Sequence, residues 1–202
     1  MPVDTRLATL CTTLLLTLSA LGLQVTDAWA QPSFDCARAE SSAEKLVCDN
    51  EELARLDRRL AEVYATALGR WPEEEVATQK ALQRGWIKGR DDCWKEEDLL
   101  ECVSFAYRSR IAEIQIQSGQ LEVPSPVLYV CSEDERKPFY VTYYRQTDPP
   151  SAVVTYDNQQ VILFLARSAS GARYTGPNVE LWEHHGEAKV DFFGLELDCK
   201  VR

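Results

Sequence analysis

The amino-acid sequence predicts a two-domain α+β protein, with helices first and antiparallel β-structure second. Three observations carry this prediction. Apolar residues recur at helical spacing as far as Gln117. After Gly119 the period changes to short runs rich in β-branched and aromatic residues. Six of the seven cysteines lie beyond an amino-terminal leader, an even number of the kind that forms disulfides in exported proteins.

The leader opens with Arg6, continues as an apolar run from Leu7 to Leu23, and ends on Ala28-Trp29-Ala30, which reads as a cleavage site. Cleavage there leaves a soluble mature chain beginning near Gln31, without a membrane anchor. Cys11 sits early in the apolar run and follows Leu10, so it is not a lipid-attachment site. The mature chain then carries 30 acidic and 21 basic residues, because Asp4, Asp27 and Arg6 leave with the leader, for a net charge of −9. Such an acidic chain is not expected to bind nucleic acid. It suits a cationic partner, whose approach opposite net charge would steer.

Within the first domain, 31–120, helical periodicity from Ser41 to Gln117 predicts three amphipathic helices. Asp49-x-x-Glu52 resembles a capping box, and Leu53, Leu56, Leu60, Val63, Tyr64 and Ala67 then share a face. Gly69 and Pro72 interrupt the pattern. Pro72 and Glu73-Glu74-Glu75 restart it, with Val76, Leu82, Trp86 and Cys93 on the apolar side. A third helix begins near Glu97 and runs through Leu99, Val103, Tyr107, Ile111 and Ile114. Three helices with single apolar stripes must bury them together, as a small antiparallel bundle. Cys36, Cys48, Cys93 and Cys102 lie near the helix ends as staples. Three pairings are open to them. The short connection between the last two helices favours Cys93 with Cys102, leaving Cys36 with Cys48.

A linker over 121–126, with two prolines, precedes the β-domain of 127–202. Strand-like runs are Val127 to Cys131, Phe139 to Tyr144, Ala152 to Tyr156, Val161 to Leu165, Val179 to Trp182, Ala188 to Phe193 and Leu195 to Val201. Asp157-Asn158 and His185-Gly186 supply turns. Seven or eight short strands imply an antiparallel barrel or sandwich. Cys131 in the first strand and Cys199 in the last are placed to tie its ends, contributing roughly 4 kcal/mol in the chain-entropy model.

No catalyst emerges. The two histidines, His184 and His185, are adjacent, and strand neighbours point to opposite faces, so no metal site is expected. Ser168 and Ser170 lack a G-x-S-x-G elbow, with only His185 as a candidate base. The carboxylate pairs Asp91-Asp92 and Glu96-Glu97 mark solvated helix ends. No cofactor loop is present. What stands out is Ser168-Ala169-Ser170-Gly171-Ala172-Arg173-Tyr174, a small-residue segment after an apolar strand. On a braced scaffold it can probe a partner's cleft at little ordering cost.

That segment, with Tyr129-Val130-Cys131, Leu181-Trp182, Gly186-Glu187-Ala188 and Cys199, resembles the MliC/PliC family of bacterial inhibitors of c-type lysozyme. The resemblance implies an eight-stranded antiparallel β-barrel and a partner protein, c-type lysozyme. It implies that an S-G-x-x-Y loop enters the lysozyme cleft, which carries over to Ser170, Gly171 and Tyr174, with Ser168 and Arg173 alongside. The family's second motif has a tryptophan, then a lysine immediately before a glycine. Trp182 and Gly186 match it, but Glu183-His184-His185 intervene, one residue more than in the family, and His185 stands in the place of the lysine.

The helical half is similar to the LprI-type domain, through Cys36, Glu44-Lys45-Leu46-Val47-Cys48, Gln83-Arg84-x-Trp86, Arg90-Asp91-x-Cys93 and Cys102. The expectation is a non-catalytic, periplasmic or secreted inhibitor of c-type lysozyme. The rivals are an envelope adhesion or assembly module that uses the barrel as a scaffold, and a small-ligand barrel, which would need an apolar cavity.

Overall fold

Capped helices build the first half. A computed structural model of the protein describes residues 31–132 and 137–202, so the expected leader lies outside the described residues. Four α-helices follow one another, α1 (Ser42–Asp49), α2 (Glu51–Leu68), α3 (Glu73–Asp91) and α4 (Leu99–Gln117), with single 3-10 turns at Cys36–Arg38 and Asp92–Lys95. The helix beyond the expected three is α1. It spans eight residues and buries only Ala43 and Val47, too little for a repeating apolar pattern.

The capping box also lies elsewhere than expected. Ser41 Oγ accepts from the Glu44 backbone N–H at 3.0 Å, and Glu44 Oε2 accepts from the Ser41 N–H at 3.1 Å. Asn50, rather than Asp49, caps α2 by accepting from the Leu53 N–H at 3.1 Å. The Glu40 N–H, foremost among its partners, holds the Glu44 carboxyl below its ordinary value of 4.5. A lowered pKa gives a contribution that is full above the unfolded value and fades as pH falls through the folded one. Ser41→Ala is expected to lower stability at neutral pH by about 1 kcal/mol, read from the denaturation midpoint.

Helices α2 and α4 form the heart of the bundle, burying Leu53, Leu60, Val63, Val103, Tyr107 and Ile114. Helix α3 lies against them through Trp86, whose ring meets Tyr107 edge-on at 5.2 Å. Leu82 is 49% exposed, contrary to its expected place on the apolar side. The inward stripe of α3 runs through Val76, Gln79, Gln83, Trp86 and Arg90, so much of it is polar. Arg90 Nη1 donates to Tyr107 Oη at 2.6 Å, and Tyr107 Oη donates to Asp57 Oδ1 at 2.9 Å. The Ser33 N–H donates to Asp57 Oδ2 at 2.5 Å, and Arg90 also pairs with Asp91. Disulfides Cys36–Cys48 and Cys93–Cys102 staple this half, as the short-connection argument favoured.

The second half is a closed antiparallel barrel of eight strands, each paired with its neighbour in sequence and the last with the first. These are β1 (Val127–Cys131), β2 (Phe139–Tyr144), β3 (Ser151–Tyr156), β4 (Gln159–Ala166), β5 (Ala172–Gly176), β6 (Val179–His184), β7 (Glu187–Phe192) and β8 (Leu195–Val201). Alternation sends Tyr129, Phe139, Val141, Val154, Leu163, Leu181, Val190 and Leu197 inward, and they fill the interior. Cys131 lies opposite Cys199 across the β1–β8 closure, where the disulfide forms. Up-and-down order places the β2–β3 connection (145–150), the β4–β5 loop (167–171), the β6–β7 turn (185–186) and the entry into β1 on one rim. The linker is fastened on both sides, since Gln120 Nε2 donates to Val63 O at 3.1 Å and Gln146 Nε2 to Glu122 O at 3.1 Å.

Candidate functional site

Five exposed residues, Arg167-Ser168-Ala169-Ser170-Gly171, carry the chain from β4 to β5. The Ser170 carbonyl oxygen accepts twice, from Ser168 Oγ at 2.6 Å and from the Trp182 indole N–H at 2.8 Å. Gly171 adopts a left-handed φ of +67°, and a Cβ there would stand 2.4 Å from Glu183 O and 3.1 Å from Trp182 Nε1. Both the backbone angle and the close approach therefore require glycine. The loop is pinned to the end of β6, while Ser170 Oγ makes no hydrogen bond among the described residues. A hydroxyl so presented can donate to a carboxylate and accept from a carboxylic acid.

The β6–β7 turn stands beside it. His185 and Gly186 have φ of 53° and 83°, the two-residue hairpin geometry. The Gly186 N–H donates to Glu183 Oε1 at 3.0 Å, and Gly186 O accepts from the Val201 N–H at 2.8 Å. Trp182 and His184 stack at 5.7 Å with an interplanar angle of 5°, and His185 meets His184 edge-on at 4.1 Å. The expected divergence of the two histidines does not hold, because the left-handed turn at His185 breaks the strand alternation. Among the described residues no three metal-binding side chains converge, here or elsewhere.

Beneath the rim, the Tyr174 ring is buried 5.6 Å from that of Tyr143, whose hydroxyl shares a 2.9 Å hydrogen bond with Tyr129 Oη. Burial raises all three phenols above their ordinary values, so they stay neutral. Arg173, next to Tyr174 on β5, faces the outer wall. There its Nε and Nη2 grip Glu180 Oε1 and Oε2 at 2.9 and 2.6 Å. On the same wall a groove of about 320 Å³ is lined by Trp182, His184, Glu187, Lys189, Asp198 and Lys200.

The structure thus brings Ser168, Ser170, Gly171, His185 and Gly186 together on one rim. It assigns Arg173 to the wall and Tyr174 to the interior, both as members of β5, a strand that in the sequence runs together with the loop. Trp182 matches the motif, but nothing in the motif marks its indole N–H as the latch on the loop. The only sequence signal for that role is its outward parity at the end of β6.

Comparison with known proteins agrees with this architecture. The family model described as membrane-bound lysozyme inhibitor of c-type lysozyme matches residues 129–196, and the model described as lysozyme inhibitor LprI matches residues 36–121. Lipoprotein LprI of Mycobacterium tuberculosis and that of Mycobacterium bovis are each 34% identical to the chain over 172 residues, covering 85% of both chains. No solved structure matches. The chain therefore belongs to the LprI family of lysozyme inhibitors, with an MliC-type barrel as its second half.

Proposed function

We propose that this protein blocks a c-type lysozyme by inserting the loop 167–171 into the active-site cleft. The target's chemistry supplies the logic. Lysozyme, a retaining glycosidase, sets a protonated glutamic acid against an ionised aspartate across the cleft. Ser170 offers a group that serves both, and Ser168 and Trp182 fix its backbone in advance. Ordering cost on binding is accordingly small. His185 and Gly186 form the neighbouring rim contact. Tyr174 supports the loop from inside, and Arg173 lies outside the contact, held on the wall by Glu180.

The observation that carries this reading is the doubly held Ser170 carbonyl beneath a free, exposed hydroxyl. The protein works in the periplasm or outside the cell, where lysozyme is met; no helix among the described residues is long and apolar enough to cross a membrane. In a cell-wall lysis assay with hen-type lysozyme, Ser170→Ala is expected to weaken inhibition about tenfold with the melting temperature unchanged, the scale of one lost charge-assisted hydrogen bond at an interface. Equal potency of the variant would remove the loop from the binding surface.

A further inference from the structure

The cations around the loop are not equivalent. Arg173 is engaged by both oxygens of Glu180, and Lys200 pairs with Glu187 at 3.0 Å. Arg167 adjoins Ser168, is exposed, and has no acidic partner among the described residues. Arg145 opens the β2–β3 connection on the same rim, exposed and equally without an ion pair among the described residues. Its connection and the β4–β5 loop share that rim, with only the paired strands β3 and β4 between them, and its charge acts on the Tyr174 phenol. The carboxyl groups toward this rim include Glu183, which accepts from the Gly186 N–H, Glu187, which pairs with Lys200, and Asp148 and Glu122 on the neighbouring connections. Arg202 follows β8 on the far side of the β6–β7 turn from the loop.

A chain of net charge −10 gains nothing in solubility from unpaired arginines at one end. Guanidinium forks match carboxylates in geometry as well as charge. We propose that Arg167, seconded by Arg145, is the cation that this inhibitor lays against the acidic groove of lysozyme, and that Arg173 is not. The inference rests on the inhibitory reading above. It gives the interface two electrostatic parts of opposite sign. The acidic body would draw in a basic enzyme from a distance, and the basic rim would grip the acidic groove at contact.

If Arg167 were a bystander, removing its charge would leave the inhibitor more acidic and its affinity for a cationic enzyme equal or greater. If it is the grip, the loss falls on the dissociation rate.

Full mature chains of the wild type, R167Q, R145Q, R167K, R173Q and S170A would be measured against hen-type lysozyme by surface plasmon resonance at two salt concentrations, with melting curves as the folding control. R167Q is expected to dissociate roughly tenfold faster and R145Q about threefold faster, neither associating more slowly. R167K should recover most of the loss, and R173Q should match the wild type. If S170A weakens binding while R167Q binds as tightly as the wild type or more so, this inference is wrong and the inhibitory loop stands. An effect confined to R145Q likewise overturns the assignment of Arg167. Absence of any wild-type binding would overturn the inhibitory reading and this proposal with it.

Discussion

Alanine at Gly171 is expected to reduce lysozyme inhibition by about two orders of magnitude, the scale on which a misplacement near 1 Å acts at a preorganised site. The added methyl would meet the Glu183 carbonyl at 2.4 Å, and that carbonyl belongs to a paired strand with little room to retreat. The loop would therefore move, and with it the latch between Ser170 O and Trp182. A second penalty arises because φ of +67° disfavours any residue with a Cβ.

Gly194 separates the two penalties. It has φ of +86°, yet nothing lies within 4 Å of a Cβ built there, and it sits in the β7–β8 turn on the opposite rim. Gly194→Ala should carry only the backbone cost, lowering the melting temperature slightly and leaving inhibition intact. A lysis assay on the two variants side by side decides the matter. Equal inhibition by both would show that the position of the loop does not govern binding.

The second large effect belongs to the helical half. Asp57→Ala is expected to destabilise the bundle by about 3–5 kcal/mol, the usual cost of breaking a buried charged network from one side. Arg90 and Asp57 are only 5% and 6% exposed, and Tyr107 between them is fully buried. Without the Asp57 side chain, the Tyr107 hydroxyl loses its acceptor, and the Ser33 N–H its partner. Arg90 keeps Asp91 but loses the group that balances the far side of the network. Calorimetry should show an early transition from the bundle while the barrel melts as before. An unchanged first transition would mean that the network stabilises nothing.

How legible each part is in the sequence follows from the length of its signal. Strands β2, β3 and β7 alternate clearly, and their boundaries can be read to within a residue. Strand β5 offers only Ala-Arg-Tyr-Thr-Gly, with one large inward side chain, so it merges with the small-residue stretch before it. Helix α3 misleads through Leu82, because the stripe that packs inward includes Gln79, Gln83 and Arg90, of which Gln83 pairs with Arg110 and Arg90 with Tyr107, both on α4. No apolar pattern encodes a polar interface between helices. Arg173 reads as available in the sequence because its partner Glu180 is seven residues on, diagonal to it across a hairpin whose register the residues alone do not supply. Within the barrel the separation along the chain is short; the missing information is which face meets which.

Closure of the barrel has its own consequence for how this molecule meets anything else. With β8 bonded to β1, the sheet has no open margin on which a foreign peptide could add itself as a further strand. Recognition is thereby confined to rims and outer walls, where side chains and tight turns make the contact. Extended polypeptides around it therefore find few places to pair by accident.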